Sequence, residues 1–214
     1  NCRKNVGLFD LTPFSKFELK GDKAFEELQR ICTANIKNEP GKCVYTQMLN
    51  NDGGIEGDVT VVCLERNYFR IISSAATRER DKFHINKNLT TNIELTDVTD
   101  KYCVFGLFGP KSRELISSIS KEDFSNKNFK FATGKKIKIN NVETWVQRLS
   151  YVGELGYEIY VEFDKAVEIY SLLINEGKKY NISNCGMHSL DIMRMENGFL
   201  HWGHDISPEE NQYQ

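Results

Sequence analysis

The chain has 214 residues, 40% hydrophobic and 27% charged, enough to bury a core as one large domain or two small intimate ones and too apolar for general disorder. Its 28 basic and 30 acidic residues leave a formal charge of −2, which gives no overall attraction to nucleic acid or an anionic membrane. No apolar stretch approaches the roughly 18 residues of a membrane helix, and no secretion-type pattern opens the chain. Six cysteines lie scattered without a Cys-x-x-Cys pair or a zinc-type cluster, so reduced thiols and a cytoplasmic location are expected, with neither nucleic acid nor membrane as partner.

Taken in chain order, strands are expected at Val6–Asp10 and Lys16–Lys20. Gly21-Asp22 then leads into a helix from about Lys23 to Thr33, where Phe25, Leu28 and Cys32 share a face. Pro40-Gly41 breaks the chain before a strand at Cys43–Leu49. Gly53-Gly54 permits a tight reversal, and the β-prone run Val59–Leu64 supplies the next strand, with Asp58 as its first residue. A short polar turn, Glu65-Arg66-Asn67, joins it to a strand from Tyr68 to Ser74, and Thr77 is placed to cap a helix bearing Phe83 and Ile85.

Further strands are expected at Ile93–Val98 and Tyr102–Phe108, followed by a helix with Pro110 in its first turn. The polar stretch Ser120–Asn128 reads as a boundary between subdomains 1–119 and 120–214. Beyond it, Lys135–Ile139 and Val142–Leu149 form a hairpin over Asn140-Asn141. Gly153–Gly156 turns into a strand at Tyr157–Glu162, and Asp164 is placed to cap an amphipathic helix with Val167, Tyr170, Leu173 and Ile174 on one side. A last helix runs from about His188 to Asn197 and stops at Gly198. Starting at Asn1 and ending in Ser207-Pro208 with no closing element, the chain reads as cut at both edges from a longer polypeptide.

Asp58 is the most informative single residue. An isolated Asp at a strand end is more often a solvated charge than a functional group. Yet no Lys or Arg lies between Lys42 and Arg66, so no neighbour in sequence neutralises it. A partly buried carboxyl without a cation has its pKa raised and can exchange a proton with a nitrogen near neutral pH. His201-Trp-Gly-His-Asp205 invites a metal reading, but Gly203 interrupts it and the spacing is not that of two ligands on one helical face. Lys111 and Arg113 read as a solvated first helical turn.

Five segments in collinear order resemble the tetrahydrofolate-binding aminomethyltransferase family, which includes the glycine-cleavage T-protein. They are Val6-Gly-Leu-Phe-Asp-Leu-Thr-Pro-Phe-Ser-Lys-Phe17, Tyr45 through Val62 around Gly-Gly-Ile-Glu-Gly-Asp58, Phe108-Gly-Pro-Lys-Ser112, Ser150-Tyr-Val-Gly-Glu-Leu-Gly-Tyr-Glu158, and His188 through Asp205. The last of these is most similar to the branch fused to flavin-dependent sarcosine and dimethylglycine dehydrogenases. The resemblance implies an α+β clover-leaf of mixed antiparallel sheets with helices, incomplete at the C-terminus, with folate in a central channel.

It also implies roles. Asp58 matches the family's catalytic carboxylate, although many members carry Asp-Asp where this chain has Gly57-Asp58. Glu158 matches the residue that grips the pterin's amino and amide edge; Tyr45 and Tyr151 match ligand contacts as readily as packing residues. Arg194 matches an arginine near the folate site, or else pairs structurally with Asp191 or Glu196. The implied activity is capture of an aminomethyl or iminium carbon as methylenetetrahydrofolate, downstream of an FAD-bearing domain in the same polypeptide. The compartment is then the mitochondrial matrix if the source is eukaryotic. A non-catalytic regulatory module, or a folate-dependent demethylase of another substrate, is the alternative. Without the family's β-rich C-terminal domain, weak folate affinity is expected of the piece alone.

Overall fold

A computed structural model describes residues 1–211 and 213. The chain forms two compact units, each built around its own sheet. One comprises Asn1–Thr12 with Asp100–Phe199, and the other Pro13–Thr99 with Leu200–Gln214. This differs from the expected division at 1–119 and 120–214. The stretch Ser120–Asn128 is not a linker: Phe124 is buried, stacks on Phe129 at 5.3 Å and meets the edge of Tyr157 at 5.4 Å.

In the first unit, β1 (Val6–Asp10), β7 (Tyr102–Phe108), β8 (Gly134–Ile139), β9 (Val142–Gln147), β10 (Gly156–Glu162) and β11 (Ile182–Cys185) form one sheet. Its order is β11-β1-β7-β10-β9-β8, and only the β1–β11 pair is parallel. The apolar run of β7 is buried almost throughout, as a central strand packed on both faces requires. Helices α3 (Ser112–Ile119) and α4 (Ala166–Gly177) bury Leu115, Ile116, Ile169 and Leu173 in the core of this sheet. Helix α5 (Met187–Met195) buries Leu190 and Met193. The β8–β9 hairpin turns on Asn140 and Asn141, both left-handed, at φ 46° and 68°, as the Asn pair predicts.

In the second unit, β2 (Ser15–Lys20), β3 (Cys43–Leu49), β4 (Ile55–Glu65), β5 (Tyr68–Ser73) and β6 (Leu95–Asp97) form an antiparallel sheet in the order β3-β4-β5-β2-β6. Helices α1 (Ala24–Ile31) and α2 (Arg78–Asn88) supply Leu28, Ile31 and Ile85 to its core. The segment after Leu200 joins this unit: the Trp202 indole N–H donates to the Ile55 carbonyl at 2.8 Å, and the Ile55 N–H donates to the Glu210 carbonyl at 3.0 Å.

Several local expectations are corrected. The strand β4 begins at Ile55, so Asp58 lies inside it rather than at its first residue. The strand expected at Ile93–Val98 shortens to Leu95–Asp97. Thr77 stands at the start of α2, but its hydroxyl is 2.5 Å from Asp81 Oδ2 instead of bonding a backbone N–H. Phe83 is 67% exposed. Asp164 sits in a 3₁₀ turn, Phe163–Lys165, and makes no side-chain cap. The buried stripe of α4 runs through Ala166, Ile169 and Leu173, leaving Val167 77% exposed. All six cysteines are free thiols, five of them buried.

Candidate functional site

In the second unit, antiparallel register sets Gln47 of β3 opposite Asp58 of β4, and Tyr45 opposite Thr60. Tyr45, Gln47, Asp58 and Thr60 therefore share one face, because alternate residues of a strand point the same way. The Gln47 side-chain amide donates to Asp58 Oδ1 at 3.1 Å, and Tyr45 adds a second hydrogen bond to this carboxyl. Burial pushes the Asp58 pKa up; the Tyr45 and Gln47 bonds offset part of that, and the carboxyl of Asp81 adds to it. The result is a carboxyl held by neutral donors and biased toward keeping a proton, the property a proton-exchanging group needs. The ring of Tyr45 itself is 60% exposed.

A second carboxylate in the first unit is held in a like manner. Gln147 of β9 lies opposite Glu158 of β10 and donates from Nε2 to Glu158 Oε2 at 2.8 Å. The Tyr160 hydroxyl donates to the same oxygen at 3.0 Å, while the Trp145 indole N–H donates to Gln147 Oε1 at 3.2 Å. Burial raises the Glu158 pKa, opposed by the bonds from Tyr160 and Gln147. Oε2 thus has both donors, and Oε1 is left to accept from an incoming group.

The remaining expected residues fall elsewhere in the first unit. Arg194 is buried to 3% exposure; its guanidinium donates to Asp191 Oδ1 at 2.8 Å and to the Phe199 carbonyl at 3.0 Å. Of the two structural partners weighed, Asp191 is the one it takes, and Glu196 pairs instead with Arg3. Tyr151 stacks on Phe199, with ring centroids 6.0 Å apart. Arg194 and Tyr151 therefore meet at Phe199. Arg113 and Lys111 are not simply solvated: Arg113 Nε donates to the Tyr157 hydroxyl at 3.3 Å, and Lys111 Nζ to Asn5 Oδ1 at 2.8 Å. In the second unit, the His201 and His204 rings lie 4.5 Å apart, tilted by 39°, and the Asp205 carboxylate accepts the His201 backbone N–H at 2.9 Å. Among the described residues no helix is long and apolar enough to cross a membrane.

Sequence reading overlooked Gln47, Gln147 and Tyr160. Their signal is a repeated spacing: each Gln precedes its acid by eleven residues, with Gly53 or Gly153, at φ 86° and 71°, in the reversal between them. Asp81 was overlooked too, since nothing in a polar helix distinguishes one buried carboxyl from its solvated neighbours.

Two antiparallel-rich sheets with flanking helices are the aminomethyltransferase fold. The structure matches that of glycine cleavage system aminomethyltransferase T from Bartonella henselae with a TM-score of 0.86, over 98% of this chain and 56% of that one, at 22% identity. A subunit chain of heterotetrameric sarcosine oxidase from Corynebacterium sp. U-96 matches with a TM-score of 0.66 over 84% of this chain, at 14% identity. The sequence model of the GCVT N-terminal domain matches residues 1–214, and the chain belongs to that family.

Among curated relatives, 4-methylaminobutanoate oxidase (formaldehyde-forming) from Paenarthrobacter nicotinovorans is 38% identical over 99% of this chain, which spans 26% of its length. An aminomethyltransferase from Halothermothrix orenii is 32% identical, again over 99% of this chain and 58% of its own. Human mitochondrial sarcosine dehydrogenase is 29% identical over 98% of this chain and 25% of its own. The chain thus spans about a quarter of its oxidase and dehydrogenase relatives and rather more than half of the aminomethyltransferases.

Proposed function

We propose that the chain is a tetrahydrofolate-dependent one-carbon transfer module that captures an aminomethyl or iminium carbon as methylenetetrahydrofolate. It serves a flavin-dependent oxidase or dehydrogenase of N-methylated amines whose FAD is carried by another domain of the same polypeptide. The observation that carries this reading is the Asp58 carboxyl, fixed on β4 by Gln47 and Tyr45 and raised in pKa by burial. Relatives named for sarcosine, dimethylglycine and 4-methylaminobutanoate support an N-methylated amino acid as the class of amine.

Tetrahydrofolate supplies the nucleophilic nitrogen. The chain's own groups position it and manage its proton. Glu158 Oε1 accepts from the amino and amide edge of a pterin, for which a carboxylate oriented through its other oxygen is suited. Asp58 stabilises positive charge developing on the attacking nitrogen and takes up the proton that nitrogen releases. Because an iminium carbon is already electrophilic, holding the nitrogen close supplies much of the remaining rate. Tyr151 and Arg194 shape the folate site around Phe199, and the compartment of action is that of the flavin domain.

The test uses the full polypeptide turning over sarcosine, dimethylglycine or 4-methylaminobutanoate, with free formaldehyde and methylenetetrahydrofolate both measured. Adding tetrahydrofolate is expected to divert carbon from formaldehyde, and Asp58→Asn to slow the diversion about a hundredfold without slowing amine oxidation. Equal formaldehyde release with Asp58 intact or replaced refutes the assignment.

A further inference from the structure

Two of the six cysteines meet in the first unit, away from Asp58 and Glu158. A Cβ placed on Gly7, in β1, would stand 3.0 Å from Cys2 Sγ and 3.0 Å from Cys185 Sγ. Both sulfurs therefore border one point, and no more than twice that distance separates them. A side chain on residue 7 would fill the space between the thiols. Glycine leaves it open, with the Phe9 ring, 2.8 Å from the same point, alongside.

The register of the sheet explains the meeting. Gly7 lies opposite Phe108 of β7 on one side and Ser183 of β11 on the other. Cys2 Sγ donates to the Phe108 carbonyl at 3.3 Å, and Cys185 Sγ to the Ser183 carbonyl at 3.5 Å. The two thiols thus reach Gly7 from its two neighbouring strands. Cys43 and Cys63 also sit on adjacent strands, but Cys43 stands opposite Val62, so Cys63 points to the other face.

Both partners have room to adjust. β11 is an edge strand and Cys185 its last residue, while Cys2 belongs to the turn before β1, closed by the Lys4 and Asn5 N–H groups on the Asn1 carbonyl. A change of χ1 swings either sulfur without moving the backbone. Cys2 is 3% exposed and Cys185 partly exposed, so a small oxidant meets Cys185 first. Burial pushes both thiols up, Cys2 to about 11, with the neighbouring Cys185 adding to it. Such thiols oxidise slowly and, once joined, are poor leaving groups, so their bond resists reduction.

We propose that Cys2 and Cys185 are an oxidisable pair, joined by a hydroperoxide into a disulfide across Gly7 that ties the segment before β1 to the edge strand β11. Cys185 Sγ, as its thiolate, attacks a peroxide oxygen; the O–O bond breaks, water leaves, and Cys185 is left as a sulfenic acid. Cys2 Sγ then attacks that sulfur, the S–S bond forms, the S–O bond breaks, and a second water leaves. Two thiols are oxidised, one peroxide is reduced, and both thiol protons end in the water. Since β11 leads through Gly186 into α5, the bond fastens the entry to the helix that carries Arg194.

The test treats the full, folded polypeptide with hydrogen peroxide, traps remaining thiols with N-ethylmaleimide in denaturant, and maps the digest by mass spectrometry. A peptide pair linking Cys2 to Cys185 and lacking two hydrogens is expected, split by dithiothreitol, with Cys103 recovered as the alkylated thiol. Cys185→Ser is expected to lose this pair entirely. The melting temperature of the parent should rise on oxidation, and that of Cys185→Ser should not. Cys2 recovered fully alkylated while Cys185 proceeds to the sulfinic acid overturns the proposal, as does a bond from either to another cysteine. Recovery of both as free thiols, or an equal rise in melting temperature in Cys185→Ser, overturns it too.

Discussion

Replacing Gln147 with leucine tests whether the Glu158 carboxyl is held by its cross-strand amide or only by burial. Gln147 is fully buried and makes three contacts: to Glu158 Oε2 at 2.8 Å, to the Tyr160 hydroxyl at 3.2 Å, and from the Trp145 indole N–H at 3.2 Å. Leucine has nearly the same volume, so little cavity term enters. What is lost is a hydrogen bond to a carboxylate, about 1.5–3 kcal/mol, and the acceptor of a buried indole N–H, about 1–3 kcal/mol. Burying an apolar side chain in place of the amide returns part of this, leaving a net destabilisation of about 2–3 kcal/mol. In a protein of this size that corresponds to about 7 °C in the melting temperature.

The loss also has a signature that cavity or packing effects lack. Gln147 stabilises the charged form of Glu158, so its removal is expected to raise the Glu158 midpoint further, read by carbon-13 titration. Folate affinity, measured by calorimetry on the full polypeptide, is expected to fall with it. A Gln147→Leu protein within 0.5 kcal/mol of the parent, with the Glu158 midpoint unmoved, would refute the account of this site.

Two further outcomes are expected. Burial alone would raise Glu27, but hydrogen bonds from Arg30 and Thr90 outweigh it and hold the carboxyl down at about 2. A depressed folded pKa stabilises fully above the unfolded value of 4.5 and is lost as pH falls through about 2; allowing for the half-exposed Arg30, about 2 kcal/mol should disappear across that window. Urea midpoints of Glu27→Gln should lack that part of the acid dependence, and an unchanged profile would count against it. Arg194→Lys keeps the charge but loses the fork that reaches Asp191 and the Phe199 carbonyl together; thermal melting should show a loss of about 1–2 kcal/mol, and parity with the parent would show the fork to be dispensable.

How much of this was legible in the sequence depended on whether a signal was local. Strands Val6–Asp10, Cys43–Leu49 and Tyr102–Phe108 were bounded correctly because turn residues and β-prone runs lie side by side. The Asn140-Asn141 turn followed from residue type alone. Strand β11 escaped notice because Ile182-Ser-Asn-Cys185 is short and half polar, and it is a strand only through its parallel pairing with β1. The buried stripe of α4 was misplaced because Val167 and Tyr170 are apolar yet face outward, leaving Ala166 and Ile169 to pack. Asp58 and Glu158 stood out through their surrounding motifs, whereas Gln47 and Gln147 acquire meaning only once register sets them opposite an acid.

The interleaving of the two units constrains how the chain acquires its structure. Strand β1 precedes its neighbours in sequence but lies between β7, about a hundred residues later, and β11, which is later still. Its first sheet partner, β7, follows only after about half of these 214 residues. Residues 13–99 meanwhile contain every strand of the second sheet, and can close while β1 waits. Long loop closures of this kind slow assembly and keep an apolar strand exposed. A mutation that destabilises β1 should therefore be felt first as lost yield at synthesis, before any loss of activity in the molecules that mature.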